Sequence, residues 1–359
     1  MTVQSILAVK DGDTLGAVRG ILKTLLEKDV VDAMLVPLEV PRADQVAPIL
    51  VKDPAPIDSA NPLAPVMRVN TAAVISRVQA DDRAARIGAV LRPCELRAAI
   101  ELAKVGRIDL SRLVLIGIDC MGTYEADAYE QIARASTREE SPADEMMRWT
   151  RQGPIAPYRL RNACQMCEHF TADRADVGIG LIGMNVRERL LVQARDDIAG
   201  KINLTADATN GREKAIARLV SIRHHRREEA MTNASRLLSD LPSLVGLVAG
   251  CTACGECLDA CPYCGCEAFA PKPAKEPHTD RLRGWPGEGR VMRERTVVPF
   301  GGLIEWGRRA ASCVGCGMCE SSCARHVPLT SIQAVLGRKV QEEFHYVPGL
   351  KVEDRLPWV

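Results

Sequence analysis

Eight cysteines in the last third of the chain carry its clearest chemistry. Cys251, Cys254, Cys257 and Cys261, followed by Pro262, stand in a C-x2-C-x2-C-x3-C-P run. Three thiolates at three-residue intervals wrap a cubane [4Fe-4S] cluster, and the fourth, after a longer step, reaches a neighbouring cluster. A second run is therefore expected, and Cys313, Cys316, Cys319 and Cys323 supply it. Crosswise ligation assigns one cluster to Cys251, Cys254, Cys257 and Cys323 and the other to Cys313, Cys316, Cys319 and Cys261. Ala324 stands where proline is usual, with Pro328 four residues later, which alters the turn and leaves the ligand set intact. Zinc also takes Cys-x2-Cys hooks, but its sites pair two separate hooks and do not place four thiolates within eleven residues twice.

Six of the fourteen cysteines remain. Cys264 and Cys266, in CPYCGC, fall outside the eight-ligand count and read as near-cluster thiols, with a redox pair or substitute ligands as alternatives. Cys94 lies where a helix should begin and Cys120 where a strand should end, and a helix N-terminus favours the thiolate. Cys164 and Cys167 form a Cys-x2-Cys hook that needs two further ligands. A third [4Fe-4S] cluster on Cys94, Cys120, Cys164 and Cys167 satisfies that need; scattered thiols or a zinc site are the alternatives. The opening MTVQSILAVKDGD lacks a basic leader, so a cytoplasmic location is expected, where thiols stay reduced and metal binding explains many cysteines better than disulfides.

The elements that must position these groups read as α/β in the N-terminal part. ILAV and AMLVPL are strand-like and flank a helix with Leu15, Val18, Leu22 and Leu25 on one face. After a Pro-rich loop from about residue 52 to 65, RIGAVL, RPCELRAAIELAKVGRI and LVLIGIDCMGT read as β-α-β, the helix opened by Pro93. RPCE and DCMGT then sit at the C-terminal ends of parallel strands, where open α/β sheets bind ligands. GIGLIG, from Gly178 to Gly183, matches a dinucleotide fingerprint only formally, because a strand-like RLLVQARD follows it; a tight turn beside a cofactor is the better reading. Residues 212–240 form a charged helix whose RHHRREEA run is a solvated face. His326, near the second cysteine run, is a surface or packing residue or a tuner of cluster potential. The expected division is 1–205 for the α/β domain, 206–240 for a helical linker, 241–340 for a mainly α-helical dicluster module and 341–359 for a tail. A Pro/Gly-rich insert, APKPAKEPHTDRLRGWPGEG, separates the two runs, and the helix-like GGLIEWGRRAAS precedes Cys313.

Composition excludes several classes. With 47 basic and 46 acidic residues and only 4% aromatics, the chain lacks the basic stripe and stacking platforms of nucleic-acid binders, which disfavours a cluster-containing regulator. No stretch reaches the roughly 18–20 apolar residues of a membrane span.

NPLAPVMRVNTAA, RPCELRAAIEL, LVLIGIDCMGT and CQMCEHF followed by ADVGIG resemble the FrhB/FdhB-like family, the β subunits of deazaflavin-coenzyme-reducing hydrogenases and formate dehydrogenases. The C-terminal hundred residues resemble α-helical dicluster ferredoxins. The resemblance implies FAD beside a [4Fe-4S] cluster, with Arg92, Pro93, Glu95, Asp119, Gly122, Thr123, Gly178 and Gly180 at the flavin and cluster site. It implies an electron-transfer subunit of an anaerobic oxidoreductase. Its partners would be a formate dehydrogenase, hydrogenase or heterodisulfide-reductase-like catalytic subunit and a diffusible redox carrier. Such a subunit would be cytoplasmic or peripheral to a membrane through its complex. A flavin-free ferredoxin-type relay is the alternative.

Overall fold

The computed structural model describes residues 2–40, 45–81, 85–136, 141–148, 150, 160–205, 211–240, 242–243, 246, 250–252, 254–263 and 309–357. Cys264, Cys266, the Pro/Gly-rich insert and most of the helix expected before Cys313 lie outside them. A seven-stranded sheet runs in the order β1-β7-β6-β5-β4-β2-β3. Its strands are β1 (Thr2–Ala8), β2 (Ala33–Glu39), β3 (Val46–Val51), β4 (Ile87–Leu91), β5 (Leu113–Ile118), β6 (Val177–Gly180) and β7 (Arg189–Arg195). The central β2, β4, β5 and β6 are parallel, while β3 and β7 pair antiparallel at the flanks and β1 pairs antiparallel with β7.

The parallel centre follows from its sequence, because strands covered on both faces must be apolar at every position. Every residue of β4 and β5 is buried. Val114, Ile116 and Ile118 face one core, with Leu22 and Leu25 of α1 (Thr14–Glu27) and Ile198 of the helix Asp196–Lys201. Leu113 and Leu115 face the other core, with Ile75 of α2 (Thr71–Asp81) and Leu96, Ala99 and Leu102 of α3 (Pro93–Lys104). That alternation is the two-residue period of a strand. The expected β-α-β unit is present as β4, α3 and β5, with α3 opened by Pro93. The long helix Arg212–Leu237 is the expected charged helix and lies against the helix Leu329–Glu343.

The cysteine-rich C-terminal region shares this core. Tyr263 and Val314 are buried in the same cluster as β4, β5, α2 and α3. Two residues one helical turn apart on α3 hold the C-terminal segments in place. Arg97 donates from Nε to the Pro348 carbonyl at 2.9 Å and from Nη1 to the Val314 carbonyl at 3.1 Å. Glu101, fully buried, accepts from Ser312 Oγ at 2.7 Å, Tyr346 O–H at 2.6 Å, Gly349 N–H at 2.8 Å and Lys104 Nζ at 2.8 Å. The segment expected as a tail therefore supplies two of the partners of one buried carboxylate. That carboxylate and burial together raise the Tyr346 pKa well above its ordinary value, burial being the larger cause.

Replacing Glu101 with Ala strands the buried Lys104 ammonium and three other donors. The expected loss is about 3–5 kcal/mol in urea unfolding, the range for breaking a buried ion pair on one side. A loss below about 1 kcal/mol would contradict this role.

Candidate redox site

The C-terminal ends of β4 and β5 carry Arg92, Cys94 and Cys120, where an open parallel sheet presents its ligand crevice. The short helix Asn162–Gln165 brings Cys164 and Cys167 to the same place. The four cysteines lie near one another and near the C-terminal region: Glu95, Cys316, Cys120 and Cys167, in that order, act on Cys94 after burial, and Cys164 and Cys167 act on Cys120. Burial, reinforced by these neighbours, pushes Cys94 and Cys167 up and Cys120 to about 11. Cys164 goes the other way, because the charge of Arg161 and hydrogen bonds from Thr123 N–H and Oγ1, both at 3.3 Å, outweigh its burial.

The end of each C-terminal cysteine run lies near cysteines of the other run. Cys313, Cys316 and Cys319 each feel Cys261, the last residue of the first run. Cys257 feels Cys251, Cys254 and Cys323, the last residue of the second run. Cys316 also acts on Cys94, so the C-terminal region comes close to the first group. Cys251 and Cys254 are exposed. None of these twelve cysteines is in a disulfide. Among the described residues no three His, Cys, Asp or Glu side chains converge closely enough to hold one metal ion.

Charge supplies the test of whether an anionic cluster fits Cys94, Cys120, Cys164 and Cys167. Arg97, Arg161 and Arg223 surround the group and are 6%, 4% and 5% exposed. Most of their donors go to carbonyl and hydroxyl oxygens, and Arg161 Nη2 also reaches Cys164 Sγ at 4.0 Å. Arg223 bonds the Met121 carbonyl at 2.7 Å and the Cys167 carbonyl at 3.3 Å and lies over the Phe170 ring. Arg161 bonds Thr123 Oγ1 at 2.8 Å, Ser321 Oγ at 3.2 Å and the Cys316 carbonyl at 3.2 Å. Among the described residues none of the three forms an ion pair with a carboxylate. Buried charges without a counter-charge are costly, so the site calls for an anion, and a thiolate-ligated cluster is one.

Beside this group a cleft with about 30 Å³ of free space is lined by Pro62, Leu63, Pro65, Arg92, Asp119, Cys120, Gly122, Met146 and Met147, among others. Its walls are mainly apolar, but the free space holds only a water or two, so a flavin ring enters only if those walls move apart. The residues expected at the flavin fall into two sets. Arg92, Asp119 and Gly122 line the cleft, and Thr123 bonds Cys164. Pro93 lies across the N-terminus of α3, in a second, polar cleft of about 590 Å³ with Arg97, Glu168 and Arg174. Glu95 is taken up by Thr71 N–H and Oγ1 and by the Arg92 N–H. Asp119 accepts from the N–H groups of Ala172, Leu181 and Ile182 and pairs with Arg212 at 3.1 Å, so most of its capacity is spent inside the fold. Gly178 and Gly180 lie within β6, with the turn of GIGLIG after them at Gly183. A Cβ on Gly180 would collide with the Arg212 guanidinium, so that glycine makes room for the Asp119 pair. His326 is exposed, with its backbone in the left-handed region.

Sequence reasoning missed Arg97, Arg161, Arg223, Met146 and Met147. Arg161 stands three residues before Cys164, and a cation next to a cysteine hook is the signal that could have found it.

Residues 84–210 match the family model for the C terminus of the coenzyme F420 hydrogenase/dehydrogenase beta subunit. Three of the four segments that carry the resemblance, RPCELRAAIEL, LVLIGIDCMGT and CQMCEHF, fall inside that match. The chain is similar to the F420-dependent formate dehydrogenase subunit beta of Methanocaldococcus jannaschii, with 25% identity over 385 residues covering 95% of this chain and 93% of that one. It is also similar to the F420-dependent formate dehydrogenase 1 subunit beta of Methanococcus maripaludis, with 25% identity over 197 residues and 49% of each chain. A chain in a xenon-derivatized structure of the F420-reducing [NiFe] hydrogenase complex from Methanosarcina barkeri is 15% identical, with TM-score 0.46, covering 65% of this chain and 92% of that one.

If an anionic cluster balances Arg97, Arg161 and Arg223, stripping iron with a chelator leaves buried cations unpaired. Calorimetry under anaerobic conditions should then show a fall of about 10 °C in Tm, from about 3–5 kcal/mol lost at 2–4 °C per kcal/mol. An unchanged Tm would contradict the assignment.

Proposed function

We propose that this chain is the electron-transfer β subunit of an oxidoreductase related to the F420-dependent formate dehydrogenases and hydrogenases. FAD would lie in the cleft at Arg92, Cys120 and Gly122, and [4Fe-4S] clusters on Cys94, Cys120, Cys164 and Cys167, on Cys261, Cys313, Cys316 and Cys319, and on Cys251, Cys254, Cys257 and Cys323. The observation that supports this reading is the convergence of Cys94, Cys120, Cys164 and Cys167 at the ends of β4 and β5 among the buried Arg97, Arg161 and Arg223, with Cys316 of the C-terminal region close to Cys94. A flavin exchanges electron pairs with a diffusible carrier, and clusters pass electrons singly.

The chain's own residues do the rest. The Pro and Met walls of the cleft would hold a flat ring and exclude water, while Arg92 is fixed by bonds to the Ala64 and Val66 carbonyls at 2.8 and 2.7 Å. Thr123 and Arg161 favour the thiolate form of Cys164. With Cys251 and Cys254 exposed, a cluster there would lie where a catalytic partner could receive or deliver electrons. No helix among the described residues is long and apolar enough to cross a membrane, which agrees with a subunit that works within a larger complex.

Anaerobically purified protein should contain about twelve irons and one FAD per chain. Cys164→Ala should lower the iron by about four and leave the other clusters in place. Full iron in that variant removes the third cluster, and absence of flavin from the wild type leaves a flavin-free relay.

A further inference from the structure

The polar cleft across the first turn of α3 has about 230 Å³ of free space, far more than the cleft at Arg92. Arg97 and Arg174 are two of its walls, and Pro93 and Leu96 are apolar ones. Arg97 is 6% exposed, and its Nε and Nη1 are taken up by the Pro348 and Val314 carbonyls. Among the described residues nothing accepts from its Nη2, which leaves two N–H groups of a buried cation at a cleft wall without an acceptor. Arg174 forms no direct ion pair among the described residues, although the charge of Asp173 acts on it at longer range. The two carboxylates of the cleft are engaged elsewhere. Glu168 is bonded to His224 Nδ1 at 2.6 Å and paired with Arg227 at 3.6 Å. Asp173 accepts from Thr171 Oγ1 at 2.6 Å and lies 4.0 Å from Arg212 Nη2, and its side chain is 65% exposed, so water screens it.

A buried cation in such a wall is costly unless an anion meets it. Arg161 and Arg223 are not walls of this cleft, so the cysteine group keeps cations of its own, and Arg97 and Arg174 are left to share a counter-charge. A phosphate monoester carries about −1.5 to −2 at neutral pH, which two guanidiniums match; a single carboxylate would leave one of them unmet. The planar fork of each arginine also suits phosphate oxygens. We propose that this cleft binds the phosphate group of a small molecule between Arg97 Nη2 and Arg174. The free space exceeds what a bare phosphate fills, and Pro93 and Leu96 give a short organic part an apolar surface to lie on. Pro93 and Glu168 adjoin Cys94 and Cys167 in the chain, so the bound dianion lies beside the cysteine group. The site stands whether or not those cysteines hold a cluster.

The test is calorimetric titration of the whole anaerobic protein, in phosphate-free buffer, with inorganic phosphate and with glycerol 3-phosphate. The wild type should bind at one site. Inorganic phosphate alone points to the free ion as the natural occupant, and glycerol 3-phosphate, with or without it, points to an ester. Arg174→Gln should weaken binding at least about tenfold, the loss of a hydrogen bond to a charged group. Arg174→Lys keeps the charge without the fork and should recover part of the affinity. Asp173→Asn should tighten binding, because a carboxylate that repels the ligand is gone. Failure of both probes to bind the wild type, or wild-type affinity in Arg174→Gln at wild-type Tm, overturns the proposal. Should Arg174→Gln lose its fold, Asp173→Asn decides: tighter binding supports the site, and equal or weaker binding contradicts it.

Discussion

The buried positive charge of Arg97, Arg161 and Arg223 is the constraint on which this structure turns. Cations excluded from water need a counter-charge, and the described residues around them offer thiols and carbonyls, with Glu125 acting on Arg161 at longer range but no direct ion pair to a carboxylate. The fold places the cysteines to meet that need. The ends of β4 and β5 deliver Cys94 and Cys120, and the hook at the helix Asn162–Gln165 delivers Cys164 and Cys167. Arg97 belongs to both structure and charge, since the helix that carries it also anchors Pro348 and Val314. Loss of the anion would therefore be felt through α3 as far as the C-terminal segments.

The same contacts join the two halves of the chain into one packed unit. Arg161 spans from Thr123 and Cys164 to Ser321 and Cys316, and Asn162 bonds Glu320 at 2.5 Å. Tyr263 and Val314 pack among the side chains of β4, β5 and α3. Electron transfer between neighbouring centres depends on a fixed separation, and a shared core with buried polar links fixes it far better than a flexible linker would. The second cysteine run thus owes its position to residues of the α/β sheet more than to its own turns.

Much of this was legible in the sequence where local chemistry decides. The apolar runs around RPCELRAAIEL anticipated β4, α3 and β5 because buried parallel strands have no polar face to confuse them. The roles of Asp119, Gly178 and Gly180 were harder to read. They cluster near the cleft in sequence logic, yet the sheet uses Asp119 to hold the turn after β6 and to neutralise Arg212, and uses Gly180 to leave space for that pair. The arginines were invisible for a related reason. Sequence gives a charge but not whether water reaches it, and long-range burial made Arg97, Arg161 and Arg223 informative.

The central claim is that three clusters stand in sequence within one chain. Spin quantification by EPR of the fully reduced, anaerobic protein tests it most directly. The account predicts about three spins per chain from [4Fe-4S] centres, broadened by magnetic interaction between neighbours. Two spins or fewer, or three that do not interact, would contradict it.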